Sequence, residues 1–203
     1  MHSNWQQWVK RDIQIILDEP TIAASRDGPY VGIHVRRGDK LKREAEAHEI
    51  QEYLRKASSF IENSTEVMAS VDDIKGLWIS SDDRNAILEV KQSYSDFFPK
   101  VRWEQVAWIS DEETKTLQSP TGTLPTTATS MDYRAFIVLF AELKMLAHAD
   151  IFVGTFSSNV ARLVVLMREA RGLPRSSSLS VDIPDWYPTR NLAVKDSDAL
   201  FMT

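Results

Sequence analysis

The 203 residues contain no cysteine. A disulfide framework, a thiol nucleophile and a cysteine-ligated zinc site are therefore excluded, although the compartment is left open. The four histidines, His2, His34, His48 and His148, show no H-x-x-x-H spacing, which speaks against a histidine metal site. There is no run of about 18 apolar residues, so no membrane span is expected. The opening "MHSNWQQWVKRDIQ" is amphipathic and lacks the apolar centre of a signal peptide. No internal repeat is found. Excess positive charge is missing too: the net charge is −5, and the isoelectric point near 5.4 argues against a nucleic-acid coat or a membrane-surface module.

What is present is an ordinary globular composition, 43% hydrophobic and 26% charged. A chain of this length buries roughly 70% of its unfolded surface, enough for one domain or one half of a bilobal protein. Ser3 or Asn4 can cap a first helix whose apolar face carries Trp5, Trp8, Val9, Ile13, Ile16 and Leu17, with Pro20 ending it. "ASRDGP" reads as a turn, and "YVGIHV" (30–35) as a buried strand. A second helical stripe runs from about Glu49 to Asn63 through Ile50, Tyr53, Leu54, Ala57 and Ile61. "GLWIS" (76–80) is a strand, "SSDD" offers caps for a helix over "RNAILEVKQSY", and "VRWEQV" (101–106) reads as a third strand. Residues 110–130 lack apolar periodicity and read as a long surface loop. Helix returns over 132–148, and "DIFVGT" (150–155) is a fourth strand. "SSNVARLVVLMREARG" is a helix closed by Gly172 and Pro174, "LSVDI" is a short strand, and 184–203 look irregular. Strand and helix alternate throughout. That predicts a doubly wound α/β fold with a mostly parallel sheet, whose ligands bind beyond the carboxyl ends of the strands.

Two segments fall at such ends. "HVRRGDK" follows the first strand; from Arg36 to Glu44 the chain sets five basic side chains against two acidic ones. Forked guanidinium donors match phosphate oxygens in pairs, so Arg36 and Arg37 suit a diphosphate. A solvated charge run fits the residue types equally well. His34 lies inside the strand pattern, where a satisfied core histidine is commoner than a ligand contact. "GTFSSN" places Ser157, Ser158 and Asn159 at a helix amino terminus, which favours an anion; plain N-capping by Ser157 or Ser158 is the simpler reading. Asp82 and Asp83 are adjacent rather than spaced as a metal-binding Asp-x-Asp pair, so capping suits at least one of them. Glu44, amid Lys42 and Arg43, would stay ionised and could act as a general base, though a surface glutamate is commoner in such a setting.

Together these residues have a pattern. "VGIHVRRGDKLKREAEAHEIQEYL" (31–54) resembles the first signature of the α1,6-fucosyltransferases, glycosyltransferase family 23, through His34, Arg36, Arg37, Asp39, Lys40, Glu44, His48 and Tyr53. "ISSDDRNAILEVK" (79–91) resembles the second motif and "LKMLAHADIFVGTFSSNVAR" (143–162) the third, so the resemblance spans roughly 28–165. It implies that 1–203 form one Rossmann-like, GDP-sugar-binding lobe of a GT-B-type enzyme, with the partner amino-terminal lobe, membrane anchor and SH3-like module outside the chain. It further implies a GDP-fucose donor, no metal and no other cofactor, and inverting transfer of fucose to O6 of N-acetylglucosamine in an N-glycan core or a chitin-like oligosaccharide.

By the same resemblance Arg36 holds the pyrophosphate, with Arg37 and Asp39 on the donor side. His34 helps hold the guanine, and Ser157, Ser158 and Asn159 meet the phosphates. Glu44 is the base, with Lys40 beside the acceptor hydroxyl. Tyr53, Asp82 and Asp83 support the site. Glu142 stands where the family has a guanine-reading aspartate, and Asn159 where it has glutamine. The implied location is the Golgi lumen; no nucleic acid and no membrane contact are expected of this segment. Two other readings stay open: a diverged, non-catalytic GDP-sugar-binding module, and a fucosyltransferase with a protein acceptor.

Overall fold

The structure, a computed structural model, describes residues 3–37, 48–64, 70–109 and 130–183. The chain opens with α1 (Ser3–Leu17) and α2 (Pro20–Ser25). Pro20 does end the first helix, but it also starts the next, where its fixed φ and missing N–H cost nothing. There follow β1 (Tyr30–Val35), α3 (Ile50–Asn63), β2 (Gly76–Ser81), α4 (Arg84–Ser93), β3 (Val106–Ala107), α5 (Ser130–His148), β4 (Ile151–Gly154), α6 (Asn159–Ala170) and β5 (Ser178–Ser180). Every strand pairing is parallel, in the order β3-β2-β1-β4-β5.

The central strands are apolar on both faces because helices cover both. Val31, Ile33, Leu77, Ile79 and Val153 meet Tyr53, Leu54, Ala57, Ile87 and Val90 from α3 and α4. Tyr30, Trp78 and Phe152 meet Ile16, Leu17, Ile137, Leu146, Val164 and Val165 from α1, α5 and α6. Gly76 is required by close approach, since a Cβ there would stand 1.8 Å from the Ser25 carbonyl oxygen. Gly172, at φ +78°, closes α6 as its position predicts.

The doubly wound expectation is met. Wrapping reverses between β1 and β4: the first two crossovers lie on one face and the last two on the other. The crevice at that reversal is where such sheets bind ligands. One expectation needs correction. Of 101–106 only Val106 joins the sheet, together with Ala107 beyond it; Trp103–Gln105 form a 3₁₀ turn instead. The Gln105 side-chain oxygen accepts from the Arg102 N–H at 3.0 Å, while the Gln105 backbone N–H donates to the Arg102 carbonyl at 2.9 Å. Those local bonds outcompete an edge ladder. The expected loop lies almost wholly outside the described residues, as does the tail 184–203; Ser130 already belongs to α5.

Candidate functional site

The parallel register sets Ser80, His34, Gly154 and Ser180 in one row across the carboxyl end of the sheet, on the α1, α5 and α6 side. His34 is buried, and its Nδ1 has no hydrogen-bond partner among the described residues. Burial pushes its pKa down to about 4, with Asp82 pulling it up and Arg36 pressing it further down. At neutral pH the ring is uncharged, with one donor and one acceptor nitrogen. An orphaned buried nitrogen is costly unless something meets it.

Glu142 reaches the same row from α5. Its carboxyl is pushed up to about 7 by burial, against a hydrogen bond from Ser80 that lowers it. Near neutrality this carboxyl is therefore poised between its protonated and ionised forms, so it can donate as well as accept.

Beyond β1 the arginines diverge. Arg36 lies 3.2 Å from Asp82. The other oxygen of Asp82 accepts the Arg37 backbone N–H at 2.9 Å, so one carboxylate fixes both residues at the strand's end. The Arg37 guanidinium turns toward α4. It gives two parallel bonds to Glu89, at 2.6 and 2.8 Å, and lies 4.0 Å from Asp83. Asp83 caps α4, accepting the Asn85 N–H at 2.9 Å, the plain role its position suggested for one of the pair.

After β4, Ser158 occupies the N-cap position of α6, yet its side chain makes no capping bond; Asn159 begins the helix, exposed. The backbone donors before it are already engaged. Asp182, just past β5, accepts the Phe156 N–H at 2.7 Å, the Ser157 N–H at 3.1 Å and the Ser180 hydroxyl at 2.6 Å. Burial alone would raise this carboxyl, but hydrogen bonds from Ser157 and Ser180 hold it at about 2. Tyr53, buried on α3, lies beside Asp182 and Arg37; desolvation first, then Asp182, pushes its hydroxyl far above the usual range.

His34, Arg36, Asp82, Glu142, Tyr53 and the Ser157–Asn159 turn thus belong to one end of the sheet, where the Arg37 and Asp83 side chains bond to α4. Asp39, Lys40 and Glu44 lie outside the described residues. Sequence reasoning missed Ser80, Glu89 and Asp182. Asp182 alone left a trace, as the acidic residue inside the apolar "LSVDI". Among the described residues no His, Asp and Glu side chains group as metal ligands would, and no helix is long and apolar enough to cross a membrane.

This arrangement, a Rossmann-type strand order with basic and hydrogen-bonding groups at the switch point, defines the class of Rossmann-like ligand-binding lobes. Comparison with known proteins narrows it. Residues 4–178 match the model for alpha-(1,6)-fucosyltransferase N- and catalytic domains, and the chain belongs to that family. A Drosophila melanogaster alpha-(1,6)-fucosyltransferase is 29% identical over 135 residues, which cover 66% of this chain. The chain spans 19% of that relative's length.

Proposed function

We propose that the intact protein transfers fucose from GDP-fucose to O6 of an N-acetylglucosamine in an N-glycan core or a chitin-like oligosaccharide, with inversion and without a metal, in the Golgi lumen. The observation that carries this reading is the convergence of His34, Arg36 and the Ser158 turn at the β1/β4 switch point of a chain in this family. In this mechanism O6 of the acceptor attacks C1 of fucose and gives its proton to Glu44. The C1–O bond to GDP breaks, and the diphosphate leaves with the bonding electrons. Arg36 neutralises the charge that develops there, with Lys40 beside the acceptor hydroxyl. Arg37 and Asp39 act on the donor side, Arg37 by way of its anchorage on Glu89. The guanine lies against His34 and Glu142: the orphaned Nδ1 gains a partner, and the ionised carboxylate accepts from the base N–H groups.

The test is transfer by the intact protein, using GDP-fucose with a GlcNAc-terminated N-glycan and with a chitin oligomer, read by mass spectrometry. A gain of one deoxyhexose that disappears in Glu44→Gln is expected. Full transfer by Glu44→Gln would remove the assigned base.

One observation favours a second reading. Asp182 holds two backbone N–H groups that an anion at this turn would use. A GDP-sugar-binding module that no longer transfers would tolerate that. It predicts GDP binding without turnover on any acceptor, protein hydroxyls included.

A further inference from the structure

At the amino end of the sheet a cavity of about 180 Å³ opens between the end of α1, the start of β1 and the last turns of α5. It is lined by Leu17, Arg26, Tyr30, Lys144, Met145 and His148. At about 30 Å³ per water it has room for several waters or for one tetrahedral anion. Its walls divide by chemistry. Leu17, Met145 and the Tyr30 ring are apolar, because the Tyr30 hydroxyl is committed to the Met145 carbonyl at 2.7 Å. Arg26, Lys144 and His148 are basic. Arg171 extends that side, donating from its guanidinium to His148 Nε2 at 2.6 Å. Arginine offers no acceptor, so this bond requires a neutral imidazole with its proton on Nδ1.

The positive charge here is not balanced from within. Burial lowers the His148 pKa, and Arg171, Lys144 and Arg26 all lower it further, with no carboxylate opposing them. Among the described residues no carboxylate stands within ion-pair distance of Lys144 or Arg171. Arg26 has Asp18 at 3.4 Å, in an exposed pair that water largely screens. Asp150, at the same end, accepts the Tyr30 N–H. Helix ends do not account for the cluster either. Arg26 meets the Leu17 carbonyl at 2.9 Å, but the last carbonyls of α5 already go to Arg168, and Lys144 stands a turn before them. We propose that this cavity binds a tetrahedral oxyanion, a phosphate or sulfate group, between Arg26, Lys144 and the His148–Arg171 pair. The group is either the free anion or the ester end of a larger molecule. Forked guanidinium donors and a mobile ammonium suit its oxygens, and the apolar wall suits an ester body. Tyr30 begins β1 and Val35 ends it, so roughly 16 Å of strand separate this cavity from the crevice at the carboxyl end. The two sites are therefore filled independently.

The test reads the His148 ring by NMR of the intact protein labelled at histidine Cε1, with His148→Gln assigning the signal. Sodium sulfate is the probe, and sodium chloride at equal ionic strength is the control, since chloride screens the same repulsions without bridging the three cations. Sulfate should raise the His148 pKa about one unit above its value in chloride, the scale of an opposite charge a few ångströms away. Lys144→Gln and Arg26→Gln should each remove much of that sulfate-specific rise, with the thermal unfolding midpoint confirming that both variants are folded. Equal His148 pKa values in sulfate and chloride would overturn the site, and so would a sulfate-specific rise that survives in both variants. Two further probes sort the sources. Phenyl phosphate binding more tightly than inorganic phosphate assigns the site to an ester whose body lies on Tyr30 and Leu17, and equal binding assigns it to the free anion.

Discussion

The two ends of the parallel sheet treat buried polar groups in opposite ways. At the amino end the network is closed. Asp150 accepts the Tyr30 N–H at 2.8 Å, and the Tyr30 hydroxyl donates to the Met145 carbonyl at 2.7 Å. Arg168, only 1% exposed, donates to the carbonyls of Leu146, Ala149, Asp150 and Ser177 and to the hydroxyls of Ser177 and Ser178. Its charge sits against the last carbonyls of α5, the negative end of that helix's dipole. At the carboxyl end two groups are left short of a partner or in an unusual protonation state: His34 Nδ1 is unmet, and Glu142 stands near 7. Polar groups that complete one another build the fold. Polar groups held incomplete at similar burial are what a ligand can use.

The sharpest way to break this contrast is at Arg168. Arg168→Met keeps the stem but strands four carbonyls and two hydroxyls, so a loss of about 3–5 kcal/mol is expected in urea unfolding. His34→Leu, equally buried, should cost less than about 1 kcal/mol, because it removes an unsatisfied nitrogen. It should nevertheless weaken GDP binding about tenfold or more, the scale of one lost buried polar contact. A large stability loss in His34→Leu would mean that the carboxyl end is also structural.

Next in size is a pH effect confined to that end. His34 is lowered from 6.5 to about 4. Its neutral form stabilises the fold above 6.5, and this contribution is lost as pH falls through about 4. Glu142 is raised from 4.5 to about 7. Its protonated form stabilises the fold below 4.5, and this contribution is lost as pH rises through about 7. Each amounts to about 3 kcal/mol, with opposite slope over nearly the same window. Between pH 4.5 and 6.5 the two cancel, so Glu142→Gln should make stability rise with pH, and His34→Leu should make it fall. Parallel profiles in the two variants would show that the groups do not titrate as the burial implies.

Much of this organisation was legible in the sequence, and the failures have physical reasons. β1, β2 and β4 are continuous apolar runs because both faces are covered, and their helices carry a clear stripe. The run 101–106 misled because Trp103 and Val106 look like strand residues, while the deciding interaction is the local Gln105 closure. His34, Arg36 and Asp82 were findable because they stand at strand ends. Glu89 and Asp182 were not, since their partners, Arg37 and the Phe156–Ser157 turn, lie 52 and about 26 residues away and meet them only through the topology. The serine turn was read as a cap or a cradle; Ser158 makes no capping bond, and the Phe156 and Ser157 N–H groups go to Asp182, a partner the sequence did not announce.

The smallest effect separates the two neighbouring aspartates. Asp83 accepts from Asn85 at the start of α4, whereas Asp82 holds Arg36 and the Arg37 N–H. Asp83→Ala removes a cap and should cost about 1 kcal/mol, while Asp83→Asn should restore nearly all of it, because asparagine caps as well as aspartate. Neither should change GDP affinity. Asp82→Asn keeps an acceptor for the backbone N–H but loses the charge that positions Arg36, so it should leave stability within about 0.5 kcal/mol and weaken GDP several-fold. If Asp83→Asn instead weakened GDP as much as Asp82→Asn, the charge of Asp83, 4.0 Å from Arg37, would belong to the donor site and not to the helix.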